Sequence, residues 1–489
     1  MAYRKIKNYL LKYNYSIICL IVLIAVYLIL KVNLAFLHHE VIWDEAVYIG
    51  IGKYIYSLGE IGIWESIRPP GLPLLLGALW KMDLPIVFFS ELMMILFGAV
   101  NIGLIYVITK QFSNKETALL ASLLFVISPI FFYQSSLILT HVPAISFTLF
   151  AVYLVLKKRY FYTGIFIGGA FLSRYPQGIL LAAICGYILI KKENKKNKEL
   201  RYKHLKEAVR RISIVLTGFL IIILPLLILN YIKYEGEVLF PFIDAAKHQG
   251  NLVYKISNPT YNLFFYLSEL VKQNPLLIFG LIGIYLFLSD RKKYSYSERM
   301  IVVMALVFPF LYYTTIINKQ LRFSIEFLPY LSMLAAYGSY EMYDKISSKK
   351  FLRGIFILVV LVLMAVPLKI NFDQYRWRTD IETETAAKVH KYFFNNNLTL
   401  PILTADPTLL AYSDVKTYSF YENIPTALIN YNKYHDEAAY VVYNTEFYPC
   451  YNEKECEDRK LLFEVIKSEN MLIFNKEDFY IFRNEKYDK

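Results

Sequence analysis

Two adjacent carboxylates, Asp44 and Glu45, lie in the segment "HHEVIWDEAVYIGIGKYIYSLGEIGIWESIRPPGLPLLLGALW". The pattern after Asp44 has the spacing of one helix face, with apolar residues at Val47, Tyr48, Ile51, Ile55 and Leu58. Gly59 is a typical helix end, so the pattern predicts a short amphipathic helix that begins at the carboxylate pair. An ionised carboxylate can accept a proton from a hydroxyl, which makes Asp44 a candidate general base. The alternative is that Asp44 only caps the helix N-terminus.

Four cationic side chains lie near the ends of apolar runs: Arg68 in "RPPG", Arg174 in "SRYPQG", and Lys319 and Arg322 in "NKQLRFSIEFLPY". Charges near membrane depth are costly, and they are often functional when they face a cavity. The planar fork of a guanidinium suits a phosphate. The alternative is that the side chains extend to the lipid headgroups, which explains Lys319 well, Arg174 poorly and Arg322 about as well as phosphate binding does. Carboxylates and arginines together suit a reaction that deprotonates a hydroxyl and releases a phosphate.

The elements that carry these residues are predicted to span a membrane. The chain of 489 residues is 56% hydrophobic and only 19% charged, whereas soluble domains are about a quarter charged. Runs such as "SIICLIVLIAVYLILKVNLAFL" have the length of about 20 residues that a bilayer requires. This composition excludes a soluble protein with many buried helices. The first run is too long for a signal peptide and has no A-x-A-like end, so we interpret it as an uncleaved span.

The net charge of +13 is concentrated in short loops such as "KKENKKNKELRYKHLKEAVRR", which predicts that these loops are cytoplasmic. No aromatic-basic motif supports a nucleic-acid partner. With the basic loops inside, the chain crosses the plasma membrane eleven times, with a cytoplasmic N-terminus and an extracytoplasmic tail. The predicted spans are about 17–36, 85–109, 118–138, 142–157, two short segments within 161–190 that break at "SRYPQG", 212–232, 275–289, 299–316, 325–343 and 354–370.

The sequence therefore predicts an all-α polytopic membrane protein with a small C-terminal extracytoplasmic α/β domain. The membrane domain covers residues 1–370, including the amphipathic first outer loop at 37–84, and the outer domain covers residues 371–489. In the tail, "TDIETETAAKVHKYFF" predicts an amphipathic helix. Six segments predict strands: "LPILTA", "VKTYSF", "AAYVVYN", "LLFEVI", "MLIFN" and "FYIFR".

Three segments resemble a known family. "WDEAVYI" followed by "RPPGLPLLL" resembles the first-loop signature of the GT-C glycosyltransferases of the dolichyl-phosphate-mannose–protein mannosyltransferase family, which includes the bacterial aminoarabinose lipid A transferases. "GGAFLSRYPQGILL" is similar to that family's broken-helix segment, and "RFSIEFLPYLSMLAAYG" is similar to its late segment, an arginine before a proline-containing span. The resemblance covers most of residues 17–370, and the tail is similar to the outer domains that some members carry.

This resemblance implies an inverting transfer of a sugar from a polyprenyl-phosphate carrier to an acceptor hydroxyl on the outer face of the membrane, without a required cofactor. It makes Asp44 the general base and gives Glu45 an assisting or orienting role. It makes the cationic residues candidates for holding the donor or leaving phosphate, namely Arg68, Arg174, Arg322 and Lys319. The acceptor could be a protein, a lipid-linked glycan or a membrane lipid, and the sequence does not identify the sugar.

One position departs from the family. Many relatives carry an acidic residue in a pattern like T-D-x-P between spans 3 and 4, where this chain reads "LTHVP". Here His141 either takes over a polar role or tunes the choice of acceptor.

Two alternatives belong to other functional classes or reactions. A transporter or flippase of a lipid-linked glycan would need charged residues along a path through the membrane midplane, whereas here they gather at the outer boundary. Transfer of an oligosaccharide to asparagine is disfavoured because the W-W-D-Y-G motif is absent.

Two smaller features concern metal binding and disulfides. A divalent metal could be bound by His38, His39, Glu40 and Asp44, but adjacent histidines point in different directions, so a metal is not favoured. Cys450 and Cys456 lie close together in the predicted outer tail, where the oxidising compartment favours a disulfide over two idle thiols.

Overall fold

The computed structural model describes residues 15–37, 41–190, 198–251, 259–289, 296–316, 319–346, 349–380, 399–420, 424–445, 448, 453–476 and 479–487. The chain forms two compact units. The first unit comprises Met1–Leu37 and Glu91–Asp380, and the second comprises His38–Ser90 and Ile381–Lys489. The predicted domain division at residue 370 stays a prediction.

The described residues before residue 381 are almost entirely helical. In chain order the helices are α1 (Tyr15–Phe36), α2 (Trp43–Tyr56), α3 (Gly71–Lys81), α4 (Ile86–Thr109), α5 (Lys115–Val126), α6 (Pro129–Gln134), α7 (His141–Leu156), α8 (Tyr160–Ser173), α9 (Ile179–Ile190), α10 (Lys198–Lys233), α11 (Phe240–Asn251), α12 (Pro259–Gln273), α13 (Phe279–Ser289), α14 (Tyr296–Thr315), α15 (Leu328–Lys345) and α16 (Lys350–Asp380). Short 3₁₀ turns at Tyr175–Gly178, Pro275–Ile278 and Leu321–Glu326 interrupt the series.

Four helices of the described chain are long and apolar enough to cross a membrane: Tyr15–Phe36, Ile86–Thr109, Lys203–Lys233 and Lys350–Arg376. Helices are suited to this role because each satisfies its own backbone hydrogen bonds in lipid. Shorter apolar helices, such as His141–Leu156 and Tyr160–Ser173, make up most of the rest of the first unit. The prediction of a mostly helical protein with apolar helices is confirmed, while the count of eleven crossings stays a prediction.

Prolines set the breaks between the shorter helices. The predicted span at 118–138 is interrupted, because α5 ends at Val126 and α6 begins at Pro129. A proline ring cannot continue a helix, since it lacks the N–H group and clashes with the preceding turn. The predicted break at "SRYPQG" is present, with a 3₁₀ turn at Tyr175–Gly178 between α8 and α9.

In the second unit, α2 and α3 pack closely through two glycines. A Cβ atom built on Gly77 would lie 2.4 Å from the Gly52 carbonyl oxygen, so no larger residue fits without moving the helices apart. The helix α2 ends at Tyr56, and the chain then turns through Leu58 and Gly59, which take φ values of +57° and +94°. The helix therefore ends just before the glycine that was predicted to stop it.

The tail folds into a five-stranded sheet: β1 (Ile402–Thr404), β2 (Thr417–Ser419), β3 (Tyr440–Asn444), β4 (Met471–Lys476) and β5 (Phe479–Arg483). The strand order is β2-β1-β3-β5-β4, with β1 parallel to β2 and β3, and β5 antiparallel to β3 and β4. Apolar clusters cover both faces of the sheet. The small C-terminal α/β domain is therefore confirmed as a sheet with the helices α17 (Ile424–Tyr434) and α18 (Glu453–Glu469).

One strand prediction is wrong. The segment "LLFEVI" lies inside α18, where Leu462 and Ile466 are buried one helical turn apart. A short apolar run fits a strand and a helix equally well, and here the polar residues on both sides extend a helical pattern. Most of the helix predicted in "TDIETETAAKVHKYFF" lies outside the described residues.

Candidate active site

The N-terminus of α2 positions the carboxylate pair. The N-cap residue is Ile42, and the Glu45 carboxylate accepts a hydrogen bond of 2.8 Å from the Ile42 N–H. This is the returning half of a capping box, in which the third helical residue satisfies an otherwise unpaired backbone donor. The Glu45 side chain is fully buried. The interpretation of Asp44 as the N-cap is therefore wrong, since Glu45 performs the capping.

Asp44 instead forms an ion pair with Arg68. The Arg68 Nη1 lies 2.7 Å from the Asp44 Oδ1, and the Arg68 Nε lies 3.0 Å from the Glu65 Oε2. The guanidinium also lies 5.1 Å from the centre of the Tyr48 ring. Burial lowers the pKa of Arg68, but the carboxylates of Asp44 and Glu65 outweigh burial and hold it well above its ordinary value. Arg68 is thus a permanent cation that fixes the orientation of Asp44.

Accessibility separates the two adjacent carboxylates. The side chain of Asp44 is 22% exposed, whereas Glu45 is 0% exposed. A group that takes a proton from a substrate must be within hydrogen-bond reach of it, so Asp44 is the better placed of the two. Glu45 instead caps the N-terminus of α2.

A second contact holds α2 within its unit. The Lys53 ammonium is buried, donates to the Ser413 carbonyl at 3.0 Å and lies 2.9 Å from the Asp414 carboxylate. Burial lowers the pKa of Lys53, and Asp414 opposes that shift. These contacts link α2 to the connection between β1 and β2, so the helix that carries Asp44 is fixed on the C-terminal sheet.

The chain after α2 also joins the sheet. The Gly62 N–H donates to the Val415 carbonyl at 2.9 Å, and the Thr417 N–H donates to the Gly62 carbonyl at 3.0 Å. Gly62 therefore covers part of the edge strand β2, whose backbone groups would otherwise lack a partner on that side. The first loop and the tail form one structural body within the second unit.

In the first unit, two of the other candidates lie beside a buried carboxylate, Glu326. The Glu326 carboxylate pairs with the Arg174 guanidinium and accepts a hydrogen bond from the Gln177 amide. The His141 Nδ1 lies 3.5 Å from the Glu326 Oε1. The Arg174 Nε also donates to the Tyr313 hydroxyl at 3.4 Å. The predicted residues Arg174 and His141 are therefore brought together around a residue that the sequence interpretation did not single out.

An aromatic ring packs against this group, which we name the Glu326 cluster (Glu326, Arg174, Gln177, His141 and Tyr313). The Phe323 ring stacks on the Tyr313 ring at 5.2 Å between centres. The guanidinium carbons of Arg174 and Arg322 lie 5.2 and 5.9 Å from the Phe323 centre. Cation–π contacts of this kind favour arginine over lysine. Both arginines are therefore presented on one aromatic surface.

Lys319 makes different contacts. Its ammonium donates to the backbone carbonyls of Tyr313 at 3.0 Å and Thr314 at 2.5 Å, the last turn of α14. A lysine in that place satisfies helix carbonyls that have no partner within the helix. Burial lowers the pKa of Lys319. These bonds support an anchoring role for Lys319, in contrast to Arg322, whose Nε donates to the Gln320 side-chain oxygen at 2.5 Å.

Several predicted residues lie outside the described residues. His38 and His39 do so, and the described residues contain no group of three or more metal-ligating side chains. Cys450 also lies outside them, so its disulfide with Cys456 stays a prediction.

Two functional candidates had a sequence signal that went unused. Glu326 is the second residue of a predicted span, and an acidic residue at membrane depth is a functional candidate by default. Glu65 stands three residues before Arg68, the spacing of side chains that meet across one turn. Gln177 had no comparable signal.

Residues 69–228 match the family model described as dolichyl-phosphate-mannose-protein mannosyltransferase. No curated protein sequence matches the chain.

In fold, the chain is similar to three solved glycosyltransferases. ArnT from Cupriavidus metallidurans, bound to undecaprenyl phosphate, aligns with a TM-score of 0.64 and 13% identity over 94% of this chain and 97% of its own. The Archaeoglobus fulgidus oligosaccharyltransferase, tethered to an acceptor peptide, aligns with a TM-score of 0.59 and 13% identity over 98% of this chain and 75% of its own. The arabinofuranosyltransferase AftD from Mycobacteria aligns with a TM-score of 0.51 and 10% identity over 95% of this chain and 42% of its own. The predicted resemblance to the GT-C glycosyltransferases is therefore confirmed, by a match to one of their family models over part of the chain and by the fold that the chain shares with these enzymes.

Proposed function

We propose that this protein is an inverting glycosyltransferase that moves a sugar from a polyprenyl-phosphate carrier to an acceptor hydroxyl on the outer face of the membrane. The observation that carries the proposal is the Asp44–Arg68–Glu65 arrangement, in which a partly exposed carboxylate is held by a fixed cation. The family match over residues 69–228 includes the segment that directly follows Arg68.

Asp44 is the proposed general base. Its carboxylate takes the proton of the acceptor hydroxyl as the hydroxyl oxygen forms a bond to the anomeric carbon of the sugar. The bond between that carbon and the phosphate oxygen breaks, and its electron pair leaves with the polyprenyl phosphate. Proton and charge therefore balance without a cofactor. Because the attack is direct, the configuration of the anomeric carbon inverts.

The cationic residues support a phosphate as the leaving group. Arg174 and Arg322 share the Phe323 surface, and guanidinium groups bind phosphate through paired N–H donors. Fixed donors of this kind stabilise the charge that develops on the departing oxygen. Lys319 contributes positive charge, and we assign it an anchoring role because it binds the carbonyls of α14. Arg68 orients the base instead of binding the donor.

The carrier and acceptor classes follow from the relatives. ArnT was solved with undecaprenyl phosphate, and the archaeal oligosaccharyltransferase was solved with a dolichol phosphate and a peptide. For this chain we propose a polyprenyl-phosphate sugar as donor and a glycan, lipid or protein hydroxyl as acceptor. The basic loops support an integral plasma-membrane protein with a cytoplasmic N-terminus and an extracytoplasmic C-terminal domain.

The test is to incubate the purified protein with a polyprenyl-phosphate sugar that is labelled in the carrier, together with extracts that contain candidate acceptors. A transferase releases labelled polyprenyl phosphate. A transporter or flippase leaves the donor intact, so recovery of intact donor alone would overturn the proposal. Mass spectrometry of surface glycans from a deletion strain then identifies the sugar and the acceptor.

A further inference from the structure

Glu326 is a carboxylate that is buried to 2% exposure in the first unit. Removing a carboxylate from water is strongly unfavourable unless charged and hydrogen-bonded partners replace the water. Two such partners come from the break between α8 and α9, namely Arg174 and Gln177, while the His141 Nδ1 at the start of α7 lies 3.5 Å from the Glu326 Oε1. The protein therefore retains a costly charge at the point where these elements meet.

Arg174 needs such a partner for its orientation. It stands just after α8 with an extended backbone, so no helix turn confines its side chain. Gln177 lies in the 3₁₀ turn that follows. Glu326 contacts both residues, and it thereby links their two side chains across the helix break.

The Arg174 side chain is 14% exposed and keeps its positive charge beside Glu326, so an anion can approach it. The ion pair with Glu326 is made by the Arg174 Nε. The ring of Phe323 lies against the guanidinium 5.2 Å from its carbon and limits its orientation further. The negative charge of Glu326 also reduces the repulsion between Arg174 and Arg322, which approach the same ring.

We propose that Glu326 is a positioning residue for the donor phosphate: it fixes the Arg174 guanidinium in the orientation that binds the phosphate of the polyprenyl carrier. The inference rests on the proposed function, because it takes the ligand of Arg174 to be that phosphate. Glu326 acts through Arg174 and makes no contact with the reacting sugar carbon. The carboxylate thus improves the binding of an anion, although its own charge is negative.

The test compares the binding of polyprenyl phosphate to the detergent-purified full chain in wild type, Glu326→Gln, Arg174→Gln and the double variant. Glu326→Gln keeps a hydrogen-bonding side chain of equal size but loses the ion pair. We expect its dissociation constant for polyprenyl phosphate to rise about tenfold or more, the effect of losing one charge-assisted contact. In the Arg174→Gln background the same change should have no further effect, because Glu326 acts only through that arginine. Glu269→Gln, which removes a surface pair with Lys272, is the control and should bind as wild type does.

Each remaining outcome has a definite meaning. Unchanged binding in Glu326→Gln overturns the positioning role, and tighter binding overturns it by showing that Glu326 competes with the phosphate for Arg174. Additive losses in the double variant overturn the action through Arg174. If Glu326→Gln does not fold, Glu326→Asp replaces it: its shortened carboxylate should weaken binding severalfold, and unchanged binding overturns the proposal. If the wild type itself neither binds polyprenyl phosphate nor turns over its sugar conjugates, the proposed function fails, and the positioning role fails with it.

Discussion

Replacing Asp44 by asparagine separates proton transfer from every structural role of this residue. The Asp44→Asn variant keeps the size of the side chain and an oxygen that can accept a hydrogen bond from Arg68. The capping bond at Ile42 is made by Glu45, so the start of α2 is unaffected. Asparagine cannot take up the acceptor proton, and loss of a general base lowers turnover by about 10²–10⁴-fold. This corresponds to about 2.7–5.4 kcal/mol in the activation free energy.

The expected change in stability is much smaller. Asp44 and Arg68 are 22% and 16% exposed, and solvent screens such partly exposed pairs to about 1 kcal/mol or less. The negative charge in the first turn of α2 contributes about 0.3–1 kcal/mol through the helix dipole. Arg68 also keeps its second partner, Glu65. The variant should therefore fold and bind donor nearly as wild type does.

The assay measures release of labelled polyprenyl phosphate at saturating donor and acceptor, per amount of folded protein. Glu65→Gln is the matched control, because it breaks the other ion pair of Arg68 without removing the base, and it should retain most of the turnover. The reasoning is refuted if Asp44→Asn keeps turnover within about threefold of wild type, far less than the loss of a general base causes. Equal losses in both variants would show that the charge balance of Arg68 matters and that proton transfer to Asp44 does not.

Three further predictions address other parts of the structure. Glu45→Gln should retain the capping bond and most of the turnover, because glutamine also serves in capping boxes, whereas Glu45→Ala should lower the free energy of unfolding by about 0.5–2 kcal/mol in thermal melts. A melt of Glu45→Ala that matches wild type would show that the cap contributes nothing. Arg322→Lys should lower turnover, since an ammonium cannot reproduce a two-point contact with phosphate. The control Arg210→Lys, at an exposed surface pair, should leave turnover unchanged. Full activity in Arg322→Lys would show that Arg322 only anchors the chain. After reduction, thiol reagents added to intact cells should label Cys450 and Cys456, and labelling that requires permeabilised cells would contradict an outer tail.

The elements around the sites could be predicted because their signals are local. The helix around Asp44, its end shortly before Gly59 and the break at "SRYPQG" follow from apolar spacing, glycine and proline within a few residues. Five of the strands in the tail were predicted correctly for the same reason. The failure at "LLFEVI" came from an apolar run that was too short to distinguish the period of a helix from that of a strand. The wrong cap assignment at Asp44 came from residue preference, which favours aspartate over isoleucine although the backbone places Ile42 there.

The clusters themselves could not be predicted, because packing brings distant residues together. Gln177 and Glu326 are 149 positions apart, and nothing in either segment identifies the other as its partner. Even the closer pair of Arg68 and Asp44, 24 positions apart, depends on the turn between α2 and α3. Sequence patterns therefore identified Arg174 and His141 as polar candidates without indicating that a buried carboxylate joins them.

The most direct test of the central claim is the anomeric configuration of the transferred sugar, measured by nuclear magnetic resonance on the product of the purified protein and a donor of known configuration. If Asp44 acts as a base for direct attack by the acceptor hydroxyl, the configuration of the product is inverted relative to that of the donor. A product with retained configuration would exclude direct attack from the face opposite the phosphate, and it would contradict the role assigned to Asp44.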